Sequence, residues 1–136
     1  MSFSILLRHK LFMAVPFMFA LLLGASVSAH AVTIFGVTSG NQLVSFDTAT
    51  PGTVTTIGPI TGLQSGENIV GIDFRPANGR LYAVGSTSRL YQVNKQTAVA
   101  SPAALLSTAL AGTSFGVDFN PTVDRLRIVS NTGQNL

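Results

Sequence analysis

Two aspartates recur in the same local sequence, Gly71-Ile72-Asp73-Phe74 and Gly116-Val117-Asp118-Phe119, 45 residues apart. Apolar residues flank each acid, so in an extended strand the carboxylate points to the face opposite them. If such a strand lies innermost in a repeated array, successive acids line a channel, where a hard cation such as Ca²⁺ takes several oxygen ligands. Asp73 and Asp118 are therefore the metal-site candidates. A plainer reading keeps each acid within its own hairpin. Across a six-residue turn, Phe119 faces Leu126, Asp118 faces Arg127, and Asp73 faces Tyr82, whose hydroxyl can donate to it. An opposite-charge cross-strand pair contributes about 0.2–1 kcal/mol. The structural reading is adopted, with Ca²⁺ as its alternative.

Other chemistry is sparse. Beyond Ala31 there is no histidine, and Lys95 is the only lysine, so a nucleophilic serine has few bases to draw on. Lys95 falls in a turn beside Asn94 and reads as solvated, with a Ser-Lys dyad as the sharper alternative. Asp47, Glu67 and Asp124 are the remaining acids, but a glycoside-hydrolase pair is defined by separation across a groove, which spacing in sequence does not give. Asp124 reads as a turn acid before Arg125, as Gly79 precedes Arg80. The loops Gly62-Leu63-Gln64-Ser65-Gly66 and Gly112-Thr113-Ser114-Phe115-Gly116 lack both the P-loop lysine and the dinucleotide spacing. Tyr82 and Tyr91 occupy strand positions and read as packing residues rather than a sugar-stacking platform. No cysteine is present, which excludes disulfides and thiolate metal sites. Asn120-Pro121-Thr122 is no glycosylation sequon because of its proline. No catalytic residue and no cofactor-binding residue is assigned.

The elements that would position these residues follow a leader. Arg8, His9 and Lys10 precede an unbroken apolar run over residues 11–23, and Ala29 and Ala31 then frame an A-x-A cleavage site, with Val27-Ser28-Ala29 offering a second cut. The run is short of the roughly 20 apolar residues that span a bilayer, although Gly24 to Val27 could stretch it, so the reading is a cleaved signal peptide over residues 1–31, with an uncleaved anchor as the alternative. Removing 31 of the 136 residues leaves 105, with six basic side chains against five acids and a net charge of +1. The interleaved charges form no basic face for nucleic acid. The low charge and mean hydropathy of +0.45 also exclude a disordered chain.

Residues 32–136 repeat internally. The block 71–76 returns at 116–121, and Arg80-Leu81-Tyr82-Ala83-Val84 returns as Arg125-Leu126-Arg127-Ile128-Val129 at the same offset of 45. An earlier copy stands 47 residues before, with Ile34-Phe35-Gly36-Val37 on Leu81-Tyr82-Ala83-Val84 and Leu43 on Leu90. Gln134-Asn135-Leu136 falls approximately on Ser88-Arg89-Leu90. Within one period, short β-branched or aromatic runs alternate with turn formers, predicting strands over 69–74, 81–84, 90–93 and 98–101. Four antiparallel strands recurring every 45 residues or so predict an all-β, β-propeller-like array of tandem blades, with a β-sandwich as the competitor. Long connections over 58–68 and 102–114 form the variable surface suited to binding, and 103–110 has the length for two helical turns.

Asn68-Ile69-Val70-Gly71-Ile72-Asp73-Phe74-Arg75-Pro76, Gly79-Arg80-Leu81-Tyr82, and above all the block 115–131 resemble the bacterial secreted domain-of-unknown-function family numbered 4394. The resemblance implies a propeller-like fold and export, covers the front portion of that family's domain, and carries over no site residue. The third copy stops at Leu136 as its third strand begins, so the expectation is a half blade, a whole blade and the first half of another. Such an incomplete ring is expected of a fragment of a longer product, or of copies that self-associate through open blade edges. The expected role is a secreted or periplasmic, non-catalytic binding or structural module for an extracytoplasmic ligand or protein. The alternative is a metal-dependent hydrolase or lactonase with its site partly in missing blades. N-terminal sequencing of the exported protein should begin at Val32 or His30; a chain retaining Met1 would refute cleavage.

Overall fold

The computed structural model describes residues 30–136, so the leader lies outside the described residues apart from His30 and Ala31. Nine strands follow in order: β1 Thr33–Val37, β2 Gln42–Asp47, β3 Val54–Pro59, β4 Ile69–Arg75, β5 Arg80–Gly85, β6 Arg89–Val93, β7 Ala100–Leu105, β8 Phe115–Asn120 and β9 Arg125–Ser130. All pairings between them are antiparallel, in sheets ordered β1-β2-β3, β4-β5-β6-β7 and β8-β9. The all-β class is as the sequence predicts. Among the described residues no helix is long and apolar enough to cross a membrane.

Turn chemistry sets the registers. The β4–β5 and β8–β9 hairpins both end in a left-handed residue, Gly79 at φ 65° and Asp124 at φ 51°. Each donates its N–H back to the last residue of the preceding strand, Arg75 at 2.8 Å and Asn120 at 2.9 Å. The resulting pairs are Asp73 with Tyr82, Asp118 with Arg127 and Phe119 with Leu126, as the six-residue turn predicts. Asn41, Ser88 and Gly133 are likewise left-handed, at φ 55°, 66° and 84°, in the turns that follow β1, β5 and β9. Glycine takes this conformation freely and asparagine tolerates it.

The structure departs from the expected pattern at four places. The first sheet has three strands instead of half a unit, because the β-branched run Val54-Thr55-Thr56-Ile57 pairs with β2. Residues 103–105 extend β7 and are not helical, since β6 offers their backbone a ladder out to Arg89 and Leu105 while eight residues cannot hold a helix alone. Ala98 turns at φ 56°, which delays that strand to Ala100. Finally, Leu136 exchanges backbone hydrogen bonds with Ile128, so it takes the place that Tyr91 holds opposite Ala83, one residue on from the alignment with Leu90.

The core lies between the first two sheets. Leu81, Ala83, Tyr91, Val93 and Ala100 pack with Leu43 and Ile60, and Phe35, Val37, Ile72 and Phe74 border them. Phe35 meets Phe74 edge-on at 5.5 Å between centroids. The opposite face of the second sheet meets β8: a Cβ built on Gly71 would come within 2.4 Å of Val117 Cγ2. Gly71→Ala should therefore overpack this seam and lower the unfolding free energy by about 1–3 kcal/mol in urea titration. Gly52→Ala, with nothing within 4 Å, should stay within about 0.5 kcal/mol of the parent.

Candidate functional site

The two aspartates have different surroundings. On β4, Asp73 Oδ2 accepts the Phe119 N–H at 2.6 Å and Oδ1 accepts the Phe74 N–H at 2.8 Å. The first of these bonds joins the second sheet to the third. The expected Tyr82 donor goes elsewhere: Asn78 Nδ2 donates to the Tyr82 hydroxyl at 3.2 Å, because the ring carries that oxygen past its cross-strand partner to the turn. Asp118 is exposed on β8, and its partner Arg127 turns Nε to Asn135 Oδ1 at 3.1 Å. Among the described residues no three histidine or carboxylate side chains gather into a group that could hold a metal ion.

Asp124, Arg75, Asp47 and Lys95 take up structural contacts. Asp124 receives Arg75 Nε at 2.8 Å and Nη2 at 2.5 Å, a bidentate pair between the second and third sheets. The hydrogen bond from Arg75 holds the Asp124 carboxyl below the usual carboxylate range and raises the guanidinium in return. Asp47 Oδ1 caps its own turn by accepting the Ala49 N–H at 2.7 Å. Lys95 Nζ stands 5.9 Å and 5.6 Å from the ring centroids of Phe35 and Phe74, in cation–π range of both.

Glu67 is the buried charge, 4% exposed. Its Oε1 accepts the Thr87 N–H at 3.0 Å and the Thr87 hydroxyl at 2.5 Å, while Oε2 accepts the Tyr91 hydroxyl. The Tyr91 oxygen in turn accepts the Gln64 N–H at 3.1 Å. Burial alone pushes the Glu67 carboxyl up, but the donors from Thr87 and Tyr91 outweigh it and leave it below its ordinary value. Burial and the Glu67 contact together raise the Tyr91 phenol. Gly85 makes room for this network, since a Cβ there would stand 2.1 Å from Glu67 Oε1. Glu67 thus ties the connection over 60–68 to the second sheet.

A cleft of about 630 Å³ opens where β4 and β8 begin. Ser39 from the β1–β2 turn, Asn68 and Ser86 supply polar groups on one side, and Thr113 and Ser114 supply them on the other. Ile69, Val70, Leu110 and Phe115 form its apolar walls. Amide side chains hold both rims in place. Asn131 Oδ1 accepts the N–H groups of Thr113 and Ser114 at 3.0 and 3.3 Å, and its Nδ2 donates to the Thr113 hydroxyl at 3.0 Å. Gln134 receives the Ala111 N–H and donates to the Ala109 carbonyl, at 2.9 and 2.8 Å. Across the cleft, Asn41 accepts the Ile69 N–H at 2.9 Å and donates to the Glu67 carbonyl at 3.1 Å. Of the two connections singled out as binding surface, 102–114 lines the cleft with four residues and 58–68 with Asn68 alone. The anchoring roles of Asn41, Asn131 and Gln134 were not visible in sequence spacing.

Residues 42–136 match a family described as a domain of unknown function (DUF4394). Comparison with curated proteins and with solved structures finds no match to either.

Tyr91→Phe should leave the Gln64 N–H and one Glu67 oxygen without this partner and cost about 1–3 kcal/mol of stability by chemical denaturation. A carboxyl held below its ordinary 4.5 contributes stability in full above that pH, and loses it as the pH falls through the lower folded value. Glu67→Gln should flatten that part of the acid limb; an unchanged pH profile would remove Glu67 as its cause.

Proposed function

The chain belongs to the DUF4394 family, whose function is unassigned, and we propose that it is an exported binding module built on a propeller-like array. The observation that carries the binding reading is the lining of the cleft: hydroxyls and an amide set between aliphatic and aromatic walls, on loops pinned by side-chain amides. That chemistry orients a neutral polar ligand and excludes water from part of it, as small-molecule sites do. The charged groups nearest to catalytic use, Asp73, Asp124 and Glu67, spend their oxygens on backbone, guanidinium and hydroxyl donors. The propeller-like reading is supported by β4 and β8 lying side by side as first strands of successive sheets, joined by the Asp73 bond. Export, to the periplasm or beyond the cell, rests on the leader pattern.

The test is a thermal-shift titration of the chain with a panel of neutral oligosaccharides and, separately, with Ca²⁺, Mg²⁺ and Mn²⁺. A ligand at a hundred times its Kd adds about 2.7 kcal/mol to stability. A sugar-induced shift abolished by Ser114→Trp, which fills the cleft, is the expected result. A micromolar metal shift that disappears in Asp118→Asn, with no sugar response, would replace this reading by the metal-dependent hydrolase or lactonase.

A further inference from the structure

One face of the second sheet is covered by the third, and the third sheet repeats the same face uncovered. On the second sheet the covered positions are Gly71, Asp73, Tyr82 and Val84. Gly71 is the notch that receives Val117, Asp73 captures the Phe119 N–H, and the Tyr82 ring lies 5.3 Å from that of Phe119. Tyr82 is 9% exposed there and Val84 is fully buried. On the third sheet, at the matching places in the same register, stand Gly116, Asp118, Arg127 and Val129. All four are exposed, Val129 to 39%. A Cβ built on Gly116 meets only Val129 Cγ2 of its own sheet, at 3.1 Å, so the notch is present and open.

We propose that this face is a docking site for an extended protein segment of the type β-branched residue, any residue, aromatic residue. The segment is the chemical likeness of Val117-Asp118-Phe119. Its β-branched side chain enters the notch at Gly116, and the N–H of its aromatic residue donates to the Asp118 carboxylate, as that of Phe119 does to Asp73. Its aromatic ring lies on Arg127 where Phe119 lies on Tyr82. The exchange of tyrosine for arginine keeps the fit, because a planar guanidinium stacks on an aromatic face. Asp118 has the means to accept: no donor among the described residues reaches its carboxylate, and Arg127 is held by Asn135 within the sheet. A strand edge with unpaired N–H groups is itself a template for pairing, so the incoming segment has its own donors covered by the acid.

The experiment titrates the full chain into a fluorescein-labelled peptide of residues 113–131 and reads anisotropy. Saturable binding is expected, weakened about tenfold or more by Asp118→Ala, which removes one charge-assisted hydrogen bond. A peptide with serine in place of Val117 and Phe119 should not bind. An unchanged melting temperature for Asp118→Ala shows that the exposed acid was not holding the fold. Two results overturn the proposal: no binding at millimolar chain, or equal binding by the parent and Asp118→Ala, which would mean that the peptide displaces the chain's own β8 from Asp73.

Discussion

A first strand paired on one side only leaves N–H groups on its free edge, and these need acceptors if a second sheet is to pack against them. Here a carboxylate from the neighbouring first strand is the acceptor. The bond from Phe119 to Asp73 is short and charge-assisted, and beside it the Val117 side chain fills the space over Gly71, where a Cβ would stand 2.4 Å from Val117 Cγ2. Glycine, acid and aromatic residue are therefore one device: the first sets the distance, the second fills the bonding capacity of the edge, and the third packs against Tyr82. The Arg75–Asp124 pair reinforces the same seam at its outer end, where solvent screens it more.

Buried polarity elsewhere follows the same economy. Glu67 is placed among a hydroxyl, a phenol and a backbone N–H, so its charge is dispersed over donors instead of being opposed by a cation. A charge in that position is tolerated only with such partners. The arrangement fastens a connection that has no regular ladder of its own to the most buried sheet. With the Asn41 side chain bonded to the same end of that connection, the rim of the cleft is held by bonds from two different sheets. A cleft so held keeps its shape without a ligand, which lowers the ordering cost of filling it.

Local rules were legible in the sequence where backbone geometry decides them. The turn residues ending in Gly79 and Asp124 determine the hairpin register, and the pairs across it follow by counting. Membership of the family was also legible, in the block 115–131. What a side chain reaches beyond its own hairpin was not. Tyr82 was aligned with Asp73 correctly, yet its hydroxyl bonds with Asn78, and Asp73 reaches another sheet. Glu67 lies in a connection with no periodicity, so nothing in spacing marked it as the buried acid. Strand β3 has the composition for pairing in Val54-Thr55-Thr56-Ile57, though spacing alone does not show that β2 is its partner; β7 runs on through Ala103-Ala104-Leu105, where alanine-rich sequence favours helix and the β6 ladder decides otherwise.

The two tyrosines sit in separate joints of the molecule, Tyr82 at the seam between the second and third sheets and Tyr91 over the buried carboxylate. The chain has no tryptophan to mask them. Their phenols are also displaced in opposite directions, Tyr82 downward by the Asn78 hydrogen bond and Tyr91 upward by burial. The two rings therefore report on different joints: a change around the first registers events at the sheet seam, and a change around the second registers the opening of the core.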